Sequence, residues 1–386
     1  MPIHDHTSVS KDITLVHSGE DYFSRLEQII LNSQSEIHLQ TYIFENDTTG
    51  IRIVDALREA ASRNVKIYIL LDGFGSFSLP ATLINKLKKS GISIRFFAPL
   101  FSANSFYIGR RLHHKVIVSD GKIALIGGIN IAKKYCGTAT ELPWLDYAVQ
   151  INNEKIAISL QKTCKDLYYK DKPLQIKKLK FAIYDNEKRT IGLLQNDWLK
   201  RKNEICNAYI KSFRNAKKEI IIVGSYFLPG KRLTKALKKA SKNKVKIKLI
   251  LSGISDVPLL RRATYHIYSS LLKHNIELYE WDKSVLHGKA AVVDNYWTTI
   301  GSFNLNNLSS YGSIEMNVEI NSIDFSNAFM ENLNQIIAQC QRITPESLKK
   351  RNNVSSNFIN WLSYWISRLI LITVTYFPYK RFKKFY

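Results

Sequence analysis

Cysteine is scarce in this chain, and the four present, Cys136, Cys164, Cys206 and Cys340, show neither CxxC spacing nor a histidine at zinc-ligand distance. That argues against a disulfide framework and a structural metal site, and suits a reducing compartment. Acidic residues are also few: 32 Asp and Glu face 56 Lys and Arg, which leaves a formal net charge of +24. The imbalance points to an anionic partner, nucleic acid or an acidic lipid surface, unless it is only a solvated basic face. The first twenty residues lack the apolar core of a signal peptide, so export by that route is not indicated. Disorder is excluded, because 45% hydrophobic and 23% charged residues are ordinary globular values. At 386 residues the chain is comfortable for two domains.

What is present is a duplication. Glu36–Phe44 and Val65–Leu71 predict strands, separated by a helix over Ile51–Ser62. Asp72-Gly73-Phe74-Gly75 is a turn that a ligand could approach, and a helix over Pro80–Lys89 and a strand over Ile92–Phe97 complete an α/β unit. The second half repeats the order: Glu219–Tyr226 answers Glu36–Tyr42, and Lys244–Gly253 answers Asn64–Gly73. The expected organisation is a first lobe over 1–170, a Lys-rich linker over 171–202, a second lobe over 203–345 and a tail over 346–386.

Each half carries one copy of a motif. Leu112-His113-His114-Lys115 runs to Asp120, with Gly127-Gly128-Ile129-Asn130 beginning seven residues later. Leu286-His287-Gly288-Lys289 runs to Asp294, with Gly301-Ser302-Phe303-Asn304 at the same offset. A His and a Lys two apart on a strand share a face, so each copy is a half-site with one imidazole and one ammonium. Brought together, Lys115 and Lys289 with the amides of Asn130 and Asn304 would bind the oxygens of a phosphate. One imidazole could attack phosphorus while the other moves protons, and neither step needs a metal or another cofactor. His114, by strand alternation, should face away from the pocket.

These residues resemble the phospholipase D superfamily over roughly 14–340, and within it the bacterial cardiolipin synthases without N-terminal transmembrane helices. Gln40-Thr41-Tyr42-Ile43-Phe44, Tyr226-Phe227-Leu228-Pro229 and Ile314-Glu315-Met316-Asn317 extend the match. The resemblance implies two α-β-α lobes with mixed sheets packed together and the active site at their interface. It implies His113 as the nucleophile that forms a phosphatidyl-histidine and His287 as the general acid, then base. Asp120 and Asp294 belong to the catalytic motif but would stabilise it rather than touch substrate, and Asp146 and Glu315 would orient the histidines. The chain departs from the family pattern at His114, at Gly128 and at Asn306-Asn307-Leu308.

The tail differs in kind. On a helical wheel, one half of 358–379 holds Phe358, Ile359, Trp361, Leu362, Trp365, Ile366, Leu369, Ile370, Ile372 and Tyr376, and the other holds Asn360, Ser363, Ser367, Arg368 and Thr375, with Leu371 and Val374 as exceptions. A spanning helix would put Arg368 near the bilayer centre at a cost of about 2.5–3.5 kcal/mol, so an amphipathic helix lying in the membrane plane is expected, with docking on the protein's own core as the alternative. Lys349, Lys350 and Arg351 on one side, and Lys380, Arg381, Lys383 and Lys384 on the other, suit an anionic leaflet. The tail turns the partner from nucleic acid towards anionic phospholipid and the membrane surface. The expected protein is a peripheral phosphatidyltransferase on the cytoplasmic face of a bacterial membrane. A phospholipase D that releases phosphatidic acid and a nuclease or phosphodiesterase of the same superfamily are the competing readings.

Overall fold

The computed structural model describes residues 12–99, 101–102, 105–106, 110–169, 180–182, 189–197, 200, 202–306, 309, 312–351, 353–376 and 382–383. Strands β1 Ile13–His17, β2 Glu36–Thr41, β3 Lys66–Asp72, β4 Ser93–Phe97, β5 Lys115–Ser119, β6 Ile123–Gly127 and β7 Tyr147–Ile151 form the first sheet, in the order β1-β7-β6-β5-β2-β3-β4. The β2, β3 and β4 strands are parallel and the other pairings antiparallel. The second sheet contains β8 Thr190–Asp197, β9 Glu219–Gly224, β10 Lys246–Ser252, β11 Ile276–Trp281, β12 Lys289–Val293, β13 Trp297–Gly301 and β14 Ser313–Asn321. Its central order β8-β14-β13-β12-β9-β10-β11 repeats the first sheet strand for strand, with Lys180–Ala182 and Gln341–Ile343 added at its two edges. The duplication seen in the sequence is therefore a duplication of topology, and the fold is the expected pair of mixed α/β lobes.

Helices α1 Glu20–Leu31, α2 Thr48–Ser62, α3 Ala81–Lys89, α4 Glu154–Tyr169, α5 Glu204–Asn215, α6 Lys231–Lys242, α7 Pro258–Leu272, α8 Ile323–Gln339 and α9 Val354–Tyr376 surround the sheets. Three large apolar clusters among the described residues, and a small fourth around Leu70, Leu112 and Ile314, hold the molecule together. One lies within each lobe, under α1–α2 and under α5–α7 respectively. The third joins the lobes: Val116, Tyr147 and Val149 of the first sheet pack with Val223, Ile300 and Val318 of the second. A sheet buried on both faces needs continuous apolar runs, which Lys66–Asp72 and Glu219–Gly224 supply.

Two segments differ from the sequence reading. The region 171–202, expected as a linker, contributes β8, which pairs with β14 through seven residues from Thr190 to Asn196; the rest of it lies largely outside the described residues. Helix α7 carried no expectation, yet it forms the seat for α9. That seat shows which stripe of the tail meets the protein. Asn360, Ser363 and Ser367 are buried, whereas Phe358, Trp361, Trp365 and Leu369 are 60, 45, 54 and 65% exposed. The polar stripe of α9 docks on the protein and the apolar stripe faces outward. Small side chains such as Ser363 and Ser367 allow helix backbones to approach closely, which is the physical reason this face packs inward. Ile372, Tyr376, Leu371, Val374 and Thr375 lie outside the described side chains, as do Lys380, Arg381 and Lys384. Among the described residues no helix is long and apolar enough to cross a membrane.

Candidate active site

Both half-sites open into one pocket of about 660 Å³ between the lobes, lined by His113, His287, Asn130, Asn304 and Glu315 with Tyr42 and Tyr226. The chain reaches it symmetrically. His113 donates its backbone N–H to Ile314 O at 3.0 Å and His287 donates to Leu145 O at 2.8 Å, so each motif is tied to the other lobe just before that lobe's carboxylate. His113 Nδ1 then lies 2.8 Å from Glu315 Oε2, and His287 Nδ1 lies 2.6 Å from Asp146 Oδ2. Asp146 is fully buried, which excludes a surface ion pair.

These contacts set the chemistry. A carboxylate only accepts, so Nδ1 of His113 carries the proton and Nε2 presents its lone pair. Burial lowers the His113 pKa, against the pull of Glu315 and with help from Lys115, so the ring is neutral at pH 7. His287 is pushed down further, by burial first and then by the ammonium groups of Lys289 and Lys115. Lys289 Nζ lies 2.7 Å from His287 Nδ1; a ring nitrogen that donates to Asp146 cannot also accept, so that approach acts as Coulombic pressure against a second charge. Burial raises the Asp146 carboxyl to about 6, against the pull of Lys289. Burial lowers Lys289 to about 8, and lowers Lys115 well below the usual lysine range.

Lys115 donates to His113 O at 2.8 Å and lies over the Tyr42 ring, while Lys289 donates to His287 O. Both are buried under the pocket rather than at its rim. Asn130 accepts from Ile43 N and donates to Tyr135 Oη at 2.8 Å; Asn304 accepts from Ser225 Oγ at 2.7 Å. The motif aspartates lie elsewhere. Asp120 and Asp294 are the first residues of three-residue hairpin loops, at φ 55° and 54°, a left-handed conformation that Asp tolerates. Asp120 accepts the backbone N–H groups of Gln34, Ser35 and Glu36; Asp294 accepts those of Lys217, Lys218 and Glu219. Burial would raise Asp120, but these donors outweigh it and hold the carboxyl at about 2. Asp120 is five residues along an extended strand from Lys115, roughly 16 Å away at the usual rise, so neither aspartate reaches the reacting centre.

His114 points away from the pocket, with Nδ1 3.0 Å from Gln40 Oε1, and burial pushes its pKa to about 3. Asn307 and Leu308 lie outside the described residues. Tyr135, Trp144 and Asp256 line the pocket and had no place in the sequence reading, and Tyr226 had no role there. Tyr135 Oη stands 3.4 Å from His287 Nε2, Trp144 lies tilted against the same ring, and Tyr226 donates to Asp256 at 2.6 Å. The repeat at Tyr42 and Tyr226 was a signal for the tyrosine pair; nothing local marks Tyr135, Trp144 or Asp256.

The family model described as "Cardiolipin synthase, PLD-like domain" matches residues 26–168 and 209–340. Cardiolipin synthase B of Escherichia coli strain K12 is 33% identical over 346 residues, covering 88% of this chain and 84% of the relative. Minor cardiolipin synthase ClsB of Bacillus subtilis is 28% identical over 354 residues, covering 88% and 85%. In structure, a phosphatidylserine synthase of Haemophilus influenzae Rd KW20 superposes with a TM-score of 0.76, 14% identity and 96% coverage of both chains, a likeness of fold. With paired half-sites across two like lobes and a family model matched in both of them, the chain belongs to the cardiolipin synthase family of phospholipase D-like proteins.

Proposed function

We propose that this protein is a phosphatidyltransferase that makes cardiolipin, moving a phosphatidyl group from one phospholipid to a glycerol hydroxyl of phosphatidylglycerol. The observation that carries the reading is the pair of imidazoles in one pocket, each held by a carboxylate from the opposite lobe, with two lysines buried beneath them. His113 Nε2 attacks phosphorus, the bond to the donor headgroup breaks, and the leaving oxygen takes a proton from His287. Phosphatidylglycerol then gives its hydroxyl proton to His287 while its oxygen displaces His113 from phosphorus. Lys115, Lys289, Asn130 and Asn304 offset the charge on the phosphate oxygens. A phosphodiester anion between the two lysines also offsets the charges that depress His287, so substrate binding brings its acid form within reach. The outward apolar face of α9 and its basic flanks support a peripheral seat on the cytoplasmic leaflet.

The test is lipid conversion by the purified full chain. Vesicles of phosphatidylglycerol should yield cardiolipin, H113A should yield none, and label from the donor phosphate should be trapped on His113 after denaturation at neutral to mildly alkaline pH, where the P–N bond survives. Adding a primary alcohol should divert product to phosphatidyl-alcohol. Phosphatidic acid as the sole product would replace transfer by hydrolysis, and label on His287 would exchange the two roles.

A further inference from the structure

Outside the active site the molecule has a second, larger concavity. It is a groove of about 1200 Å³ between α6 and α9, floored by α7. Its floor is apolar, from Leu228, Ile267 and Leu271. One wall is the lysine face of α6, whose Lys231, Lys235, Lys238, Lys239 and Lys242 all line the groove. The other wall is α9, through Tyr364, Trp365 and Arg368. No carboxylate stands among the residues that line it.

The charge is unusual for its place. Leu233, Ala236, Leu237 and Ala240 bury one stripe of α6, so the lysines must occupy the other, and five ammonium groups along one helix repel one another unless an anion lies between them. The apolar floor would be wetted without an occupant. Both needs are met by one kind of molecule, with a phosphate at one end and hydrocarbon at the other. The groove is also continuous with the outward face of α9, since Trp365 and Leu369 belong to both. A lipid could therefore enter sideways from a leaflet without leaving it.

We infer that this groove is an accessory site for one anionic phospholipid, its phosphate on the α6 lysines and its acyl chains along Leu228, Ile267 and Leu271, separate from the catalytic pocket. The inference rests on the peripheral membrane reading above. It also gives the site a physical route to the active centre. Arg368 donates to Pro229 O at 3.4 Å, and Leu228–Pro229 continue from Tyr226, which lines the catalytic pocket. An occupied groove would hold α9 against that segment.

The experiment uses the full chain with Trp365 as reporter, its signal taken as the difference from W365F, in neutral-detergent micelles doped with acyl-brominated lipid. Brominated phosphatidylglycerol should quench Trp365 saturably, and phosphatidylcholine should need about tenfold more or greater, given what each lysine contributes near an anionic headgroup. K235Q/K238Q/K242Q should abolish the preference, and K235R/K238R/K242R should keep it. Equal quenching by both lipids, or indifference to Lys→Gln, would overturn the site. Relief of quenching by millimolar inorganic phosphate would overturn its lipid assignment. Flotation with anionic vesicles separates the two readings: a wild-type chain that stays in solution sinks the membrane seat and the groove together, whereas one that floats with a headgroup-blind groove sinks only the groove.

Discussion

At the scale of single residues the two half-sites differ in a matched way. Ser302 Oγ donates to Glu315 Oε2 at 2.5 Å, whereas a Cβ at Gly128, its counterpart, would collide with both carboxylate oxygens of Asp146. The longer carboxylate goes with serine and the shorter with glycine, so the lost hydroxyl at position 128 makes room for Asp146. G128S should then cost about 1–3 kcal/mol through overpacking and lower kcat strongly, while S302G should also lower the thermal midpoint, at a cost of about 1–3 kcal/mol, because it removes a buried donor to Glu315; thermal melts with turnover assays check this, and a tolerated G128S would refute it. Lys289 gives a second expectation. Its charged form exists below a pKa of about 8, so kcat/KM, which reports the free enzyme, should fall as pH rises through about 8, and K289R should move that limb upward. A profile flat to high pH would count against a charged Lys289 in binding. The motif's spacing made His113, Lys115, His287 and Lys289 legible from sequence, and strand alternation gave the direction of His114. Tyr135 and Asp256 were not legible because they reach the pocket only through tertiary packing, with no spacing relation to the motif.

At the scale of elements, α9 is the part whose sequence pattern was clear and whose placement was not. The wheel separates an apolar from a polar stripe, but periodicity alone does not say which stripe meets the protein. That depended on α7, whose pattern from Pro258 to Leu272 gave no expectation, and on serines small enough for close packing. The helix is docked, one of the two alternatives weighed from sequence, and it leaves outward the apolar stripe that the other alternative requires. It also makes a sharp prediction: F358S/W361S/L362S should leave the thermal midpoint unchanged or raised, because those side chains are exposed. The same variant should weaken partition onto vesicles by on the order of 100-fold or more, since each loses up to about 1.5–3 kcal/mol of apolar transfer. Melting and vesicle flotation on one preparation decide it. A large drop in melting temperature would mean the stripe is packed, not free.

At the scale of the whole molecule, the charge of +24 and the apolar face of α9 are separable forces with different salt responses. Charge brings the chain to an anionic surface, but raising ionic strength from 0.1 to 1 M shortens the screening length from about 10 to 3 Å. The apolar contribution is not screened. Binding to anionic vesicles should therefore fall steeply at first and then level off at the affinity measured on neutral vesicles, and that floor should vanish in F358S/W361S/L362S. A protein that used its charge on nucleic acid would behave differently, with log affinity falling steadily against log salt and no floor. Flotation across a salt series, run beside a duplex-DNA titration, compares the two. Complete loss of vesicle binding at 1 M salt would show that charge alone holds the protein there, and the outward stripe of α9 would then need another partner.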